Sequence, residues 1–190
     1  MSEVLQQRLN KVLPRIISDD FLSGSGIGNE IAFYIFDYPP EHELQVRDYL
    51  RILLEHIPKN KPDLRVKHVN LFDLVLDYLK GRSLLDKALQ MQRGKGDEAV
   101  KKALAAPLHE SKLGGLFADV VRPDQQDLVI VSGVGSSWPL VRSHTLLNNL
   151  HSVMGKTPLV MFYPGRYDGQ FLRLFGKLRN AYYRAFKLLP

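Results

Sequence analysis

Residues 127–139 read Asp-Leu-Val-Ile-Val-Ser-Gly-Val-Gly-Ser-Ser-Trp-Pro, and this stretch decides the fold class. Residues 127–132 are a short, almost continuous apolar run, which is typical of a strand covered on both faces within a parallel sheet. Glycine and serine follow at once, and the apolar spacing after them predicts a helix from about Pro139 to Met154. A buried strand, a glycine turn and a helix in direct succession are the building unit of α/β proteins.

The same alternation of strand and helix extends outward in both directions. Apolar or alternating runs predict further strands at 31–37, 65–71 and 158–163. Apolar residues at helical spacing predict helices at 2–17, at 41–57 with Pro58 closing the helix, and in three pieces across 72–106 that break at Gly81 and at 94–96. The tail is predicted to add a helix near 168–178 and a last strand within 182–188.

This order of elements predicts the architecture. Strands that alternate with helices indicate a mostly parallel sheet with helices on both faces, a three-layer α/β/α sandwich of Rossmann-like or degenerate P-loop-like type. The chain has 190 residues, of which 45% are hydrophobic and 24% charged, and this composition suits one globular domain over 1–190. Residues 72–121 are the candidate for a helical insert within that domain.

Several function classes are excluded by what the sequence lacks. It contains no cysteine, so disulfides, thiolate metal sites and a cysteine nucleophile are ruled out. No apolar run approaches the ~20 residues of a membrane helix, and the first 17 residues have no apolar signal-peptide core. We therefore expect a cytoplasmic protein that does not contact a membrane.

Gly155-Lys156-Thr157 looks like the end of a nucleotide-binding P-loop, but its context is wrong. A P-loop needs a glycine where Leu150 stands, and it must follow a strand and open a helix. Here the triplet ends a predicted helix, so we interpret it as a helix C-cap, and no Walker motif remains. No metalloprotease spacing and no serine nucleophile motif occurs either. We expect no enzyme activity, no bound metal and no cofactor.

The turn after the 127–132 strand is the first candidate binding site. Ligands bind in α/β proteins at the carboxyl ends of parallel strands, and free backbone N–H groups there can hold an anion. The candidate anion-binding residues are Gly133, Gly135, Ser136 and Ser137. The alternative is an ordinary strand-to-helix turn, in which Ser136 or Ser137 caps the helix and Pro139 lies near its first position.

The last 27 residues are the second candidate site, because they carry most of the excess charge. The whole chain has a net charge of +6, and residues 164–190 hold six basic side chains against one acidic side chain, interleaved with six aromatic ones. Such a mixture suits stacked nucleobases, or a protein interface rich in tyrosine and arginine, or an ordinary solvated face. The candidate residues for binding a partner or a nucleic acid are Arg166, Arg173, Lys177, Arg179, Tyr182, Tyr183 and Arg184.

The same blocks of sequence carry a family resemblance. Residues 33–38, 128–144, 146–150, 158–169 and 182–186 closely resemble the BrxB family of bacteriophage exclusion (BREX) defence systems. The resemblance spans nearly the whole chain.

The resemblance implies a role in antiviral defence and phage resistance. It implies a small cytoplasmic protein without an established catalytic motif, working beside a methyltransferase, a PglZ-type phosphatase-like protein, a large ATPase and other BREX components. The implied function is that of an adaptor that binds the PglZ-type protein and links it to the DNA methylation or exclusion machinery. The alternative is a nucleic-acid-binding module that uses the basic tail, so DNA is a possible partner, directly or through other components.

Overall fold

The structure is a computed structural model, and it describes residues 2–23, 32–176, 178–182 and 185–189. Within these ranges, the side chains at 110, 143–145 and 178–182 lie outside the description. The candidate residues Lys177, Tyr183 and Arg184 lie outside the described residues altogether.

Within the described ranges, seven strands form the sheet: β1 (Phe33–Tyr38), β2 (Val66–Asn70), β3 (Leu128–Ser132), β4 (Leu159–Tyr167), β5 (Phe171–Leu174), β6 (Leu178–Tyr182) and β7 (Phe186–Lys187). The order β2-β3-β4-β1-β7 is parallel throughout. β5 and β6 continue from β4 as antiparallel strands. The prediction of a mostly parallel sheet is confirmed.

The residues that the structure describes form ten helices around the sheet: α1 (Glu3–Asn10), α2 (Val12–Ile16), α3 (Asp19–Leu22), α4 (Glu43–Asn60), α5 (Leu71–Gly81), α6 (Leu85–Lys95), α7 (Asp97–Leu104), α8 (Glu110–Val121), α9 (Val134–Ser137) and α10 (Ser143–Met154). The described part of the chain also has short 3-10 turns at Pro40–His42 and Pro123–Gln125. None of the described helices is long and apolar enough to cross a membrane.

The two faces of the sheet have separate cores, as the three-layer prediction requires. On the first face, Ile35, Val131 and Met161 are buried under α5, α8 and α10. On the second face, Phe36 and Phe162 are buried under α1 to α4. Successive side chains of a strand point to opposite faces of the sheet, and here both faces are buried. The strands are therefore continuous apolar runs in the sequence.

The predicted helix near 168–178 is wrong, because this segment forms the β5–β6 hairpin. Leu172 and Leu174 are buried while Phe171 and Arg173 lie on the opposite side, which is the two-residue period of a strand. The apolar residues at 171, 172, 174 and 175 also fit a helical spacing, so local pattern alone did not separate the two structures. Pairing with β4 decided between them.

Three predicted helix boundaries also differ. The helix predicted over 2–17 is divided at Lys11, since Pro14 cannot donate to the carbonyl of Asn10 and its ring crowds that group. Pro58 does not end α4 but lies in its last turn, where a proline removes only one bond before the helix stops at Asn60. The helix predicted from Pro139 begins at Ser143, after the separate single turn of α9.

Candidate functional site

The carboxyl ends of β1, β3 and β4 meet at one edge of the sheet, and the two candidate sites lie there side by side. β4 stands between β3 and β1 in the sheet. The turn after β3 is therefore brought against Pro164, where β4 leaves the parallel sheet to enter the hairpin. This edge is where α/β folds carry their binding groups.

The Gly133–Ser137 turn is tightly packed. Gly133 has φ +71°, and a Cβ at this position would stand well under 3.0 Å from Asn70 Oδ1. That oxygen accepts hydrogen bonds from the backbone N–H groups of Phe72 and Asp73, so it caps α5. Because glycine has no Cβ, Gly133 allows the end of β3 to lie against the start of α5.

The two serines of this turn do not cap the following helix, so the predicted serine N-cap is wrong, although the turn does lead from a strand into a helix. Ser137 Oγ is buried and donates to the carbonyl of Val134 at 2.9 Å. Ser136 Oγ accepts from Arg47 Nη2 at 2.7 Å. α10 starts later, with Arg142 at its N-cap. Anion binding by Gly133, Gly135, Ser136 and Ser137 stays a prediction, to which the structure adds Arg47 as a nearby cation.

Arg47 belongs to a chain of polar groups along the start of α4. Its Nε donates to Glu43 Oε1 at 2.8 Å, and the Tyr38 hydroxyl donates to the other oxygen of Glu43 at 2.5 Å. Burial, followed by the charge of Glu43, raises the pKa of Tyr38, so the phenol stays protonated and can donate. This chain joins the end of β1 to the turn after β3.

Two exposed aromatic rings lie at the same edge. Trp138 is 43% exposed and Phe175 36% exposed, and their rings meet edge to face with centroids 6.0 Å apart. Phe175 has φ +54°, a strained backbone conformation for a bulky residue. It is held there by the hydrogen bond from its N–H to the carbonyl of Pro164 at 2.9 Å. Large aromatic groups at a surface and a strained backbone are both typical of functional sites.

Three arginine positions form a row across the hairpin beside these rings. Arg166 on β4 is directly opposite Arg173 on β5, and Arg173 is in turn opposite Arg179 on β6. Arg166 is exposed. Arg173 contacts Asp168 at 3.3 Å, and its buried Nε has no hydrogen-bond partner among the residues that the structure describes. We call these three positions the arginine row.

The side chain of Asp168 is hydrogen-bonded mainly to the backbone of the turn that begins at this residue. Its Oδ1 accepts from the backbone N–H groups of Phe171 at 2.7 Å and Gln170 at 3.0 Å. These two bonds, with a smaller effect of Arg173, lower the pKa of Asp168. The carboxylate therefore shapes the turn between β4 and β5 and offsets the charge of a single arginine in the row.

The sequence-predicted residues are thus only partly brought together. Arg166, Arg173 and Arg179 align, and Tyr182 lies on β6 opposite Phe171. The sequence pattern did not single out Trp138, Phe175 or Arg47 as site residues. The one tryptophan of the chain, placed directly after the glycine-serine turn, is the signal that could have indicated Trp138. Among the described residues, no three acidic or histidine side chains are grouped closely enough to hold a metal ion.

His68 supplies a prediction about pH. It lies on β2, and its Nε2 is 2.8 Å from Ser132 Oγ at the end of β3. Burial lowers the pKa of His68 below its usual 6.5, and the charge of Asp73 offsets part of this. Below pH 6.5 the unfolded chain binds this proton more readily than the folded chain, so stability falls as the pH drops from 7 toward 5. Chemical denaturation at several pH values should show a smaller fall for His68→Gln than for the native chain, and equal falls would contradict the assignment.

Comparison with known proteins reveals clear relatives. The family model described as BREX protein BrxB matches residues 67–188, more than half of the chain. A BREX protein BrxB of Escherichia coli O9:H4 (strain HS) is 45% identical over 188 residues, covering 98% of this chain and 92% of the relative. A BREX protein BrxB of Bacillus cereus (strain H3081.97) is 40% identical over 190 residues, covering 97% of each chain. No solved structure matches the chain at a significant level.

Proposed function

We propose that this chain, which belongs to the BrxB family and is a component of a BREX system, acts as a non-catalytic adaptor. Its direct partner in this proposal is the PglZ-type phosphatase-like protein. By holding that protein, the chain would connect it to the DNA methylation or exclusion machinery in the cytoplasm.

One observation carries the proposal: Arg173 of the arginine row lies two residues before Phe175, whose ring meets that of the exposed Trp138. Arginine and tryptophan are the residue types that most often supply the binding energy of protein interfaces. Like charges placed directly opposite on neighbouring strands destabilise a sheet. The opposed Arg166 and Arg173, beside the one acidic neighbour Asp168, therefore favour an outside counter-charge, such as an acidic face of a partner protein.

Binding of DNA to the same row is the second candidate. The exposed Arg166 supports it, since an arginine in this position can contact a phosphate. Arg173 supports DNA binding less, because its guanidinium already pairs with Asp168. The aromatic pair also meets edge to face, and this arrangement leaves the rings less open to flat stacking by a base than parallel rings would be.

Co-purification of the tagged chain with the PglZ-type protein from its own operon tests the adaptor proposal. We expect Trp138→Ala, Arg173→Glu and Arg179→Glu each to weaken the association by about tenfold or more, the usual effect of removing an interface hot spot. Leu44→Ala, at a residue 72% exposed on α4, is the matched apolar control. Arg93→Glu, at an exposed position on α6, is the charge control.

The outcomes separate the two candidates. Intact association and intact phage resistance in all three variants would show that this surface is not the docking site. Retention of the native chain on duplex DNA with a steep salt dependence, lost in Arg173→Glu but not in Trp138→Ala, would favour the nucleic-acid function instead.

A further inference from the structure

The outer side of β2 is an open sheet edge on the described part of the chain. β2 pairs with β3 alone, at the end of the sheet opposite β7. One strand, β3, separates it from β4, from which the arginine row extends. An edge strand presents a line of unpaired backbone groups that another strand can pair with.

The hydrogen-bond register indicates which backbone groups point outward. The carbonyl of Arg65 accepts from the N–H of Leu128, and Val66 is the register partner of Leu128. In a parallel ladder the backbone groups of alternate residues point to opposite sides, so those of Val66 and His68 point away from β3. Each of these two residues offers one donor and one acceptor at the open edge.

The usual protection of an edge strand is weak here. β2 runs through five residues in unbroken register with β3, without a bulge and without a proline. Lys67 is its one charged side chain. Natural proteins usually blunt an exposed edge with such devices, so an edge that lacks most of them is suited to pairing.

A cleft lies against this edge on each face of the sheet. On the first face, a cavity of about 700 Å³ is bounded by β2, α5 and α8, and its apolar wall includes Leu74, Leu116 and Val120. Val120 is 42% exposed, so this wall has apolar surface that nothing in the described chain covers. On the second face, a cavity of about 500 Å³ lies between β2 and α4. Both cavities reach His68 and Asn70.

The two clefts differ in charge. The cleft under α4 is lined by Arg47, Arg51 and Glu55, and the two arginines also pair along the helix with Glu43 at 2.8 Å and with Asp48 at 3.7 Å. The cleft beside α5 combines its apolar wall with a balanced rim: Lys67, Asp73, Asp77 and Arg82. Because the side chains of a strand alternate between the two faces, an added strand would place every second residue in each cleft.

We propose that the β2 edge accepts an extended segment of a partner protein as an added parallel or antiparallel strand. The segment would present acidic side chains to Arg47 and Arg51, and apolar side chains to Leu74, Leu116 and Val120. Backbone pairing supplies the affinity in this mode of recognition, and the two clefts supply the specificity. This inference rests on the proposed adaptor function, because it takes the partner from the BREX system. The β2 edge would be the second binding surface that an adaptor needs.

A peptide array tests this proposal. Overlapping peptides covering the other proteins of the same BREX operon are probed with the full chain and with three variants. Val66→Pro removes an outward N–H at the first residue of an edge strand, a position where proline is tolerated. Val66→Thr keeps both the N–H and the branched side chain as the matched control, and Arg51→Glu reverses one charge of the acid-binding cleft.

The expected result is a small set of peptides that alternate acidic and apolar residues. They should bind the native chain and Val66→Thr equally, and bind Val66→Pro and Arg51→Glu at least tenfold more weakly. If no peptide distinguishes Val66→Pro from Val66→Thr, the proposal is overturned. A concentration-dependent dimer of the native chain that Val66→Pro abolishes would also overturn it, since the occupant would then be a second copy.

Two further measurements keep the test decisive. Methylation of alternate backbone nitrogens in a bound peptide should abolish its binding to the native chain, even if Val66→Pro does not fold, and unchanged binding would overturn the proposal. Trp138→Ala should retain the peptide while losing the PglZ-type protein, and Val66→Pro should show the reverse. Failure of the adaptor proposal and failure of strand addition are therefore told apart.

Discussion

Replacing Gly133 by alanine should destabilise the folded chain by about 3–5 kcal/mol, because three costs coincide there. The backbone has φ +71°, which an alanine adopts only with strain. The new Cβ would overlap Asn70 Oδ1, and it would stand 3.2 Å from the backbone nitrogen of Leu71. Displacing Asn70 would remove the cap of α5, which is part of the first-face core.

Thermal and denaturant unfolding measure this effect against a matched control. The melting temperature of Gly133→Ala should fall by roughly 10 °C, given the usual 2–4 °C per kcal/mol for a chain of this size. Gly155 also has a positive φ, +56°, but no atom lies within 4 Å of the position of its Cβ. Gly155→Ala should therefore cost about 1–3 kcal/mol from backbone strain alone, since its ψ of −123° lies outside the left-handed helical region. Equal losses in the two variants would show that contact with Asn70 contributes nothing.

A double-mutant cycle isolates the contact itself. Asn70→Ala alone should cost about 1 kcal/mol through the lost cap of α5. In the Gly133→Ala, Asn70→Ala double variant the overlapping oxygen is gone, so the total should be clearly smaller than the two single losses added together. If the two single losses of stability simply add in the double variant, the cost of Gly133→Ala comes from its backbone conformation and not from contact with Asn70.

Removing the carboxylate of Asp37 should cost about 2–4 kcal/mol, the second large effect. Asp37 lies at the end of β1, and its two oxygens accept from Arg8 Nη2 at 2.7 Å and from the backbone N–H of Tyr167 at 3.0 Å. The side chains of Asp37 and Arg8 are only 16% and 25% exposed. Asp37→Ala would leave a poorly solvated guanidinium and would take away the acceptor that Asp37 provides to the Tyr167 N–H, and both losses are costly when water cannot replace the partner.

Denaturant unfolding with two companion variants checks the reason. Asp37→Asn keeps an acceptor but loses the charge, so its loss of stability should be intermediate. Asp20→Ala removes a carboxylate whose pair with Arg15 is much more open, at 67% and 37% exposed, and it should cost less than about 1 kcal/mol. A loss in Asp37→Ala no larger than in Asp20→Ala would contradict the role given to Asp37.

Asp37 also illustrates how far the candidate site could be predicted. The sequence places Asp37 at the end of a strand and Tyr167 in the turn after another, but it does not show that they meet, because 130 residues separate them. The alignment of the arginine row could not be predicted from the sequence either. Arg166, Arg173 and Arg179 are spaced seven and six residues apart, and only the antiparallel register of β4, β5 and β6 aligns them.

Local patterns were sufficient for most of the individual elements. The apolar runs of β1, β3 and β4 and the three helices broken near Gly81 and 94–96 depend on residues close together in the chain, and the structure has them where the patterns predict. Patterns failed at the β5–β6 hairpin, where the same apolar residues fit two periods. They also failed at the start of α10, since the contacts of Ser136 and Ser137 take both serines away from the cap.

By itself, then, the sequence determined the α/β class, the alternation of strands and helices, and the basic character of the tail. These properties follow from the period of apolar residues and from counted charges, which need no knowledge of distant contacts. Only the tertiary structure decided the order β2-β3-β4-β1-β7, and with it the open edge at β2 and the meeting of Trp138 with Phe175. The physical reason is that strand order depends on contacts between segments far apart in the chain, and local sequence does not encode them.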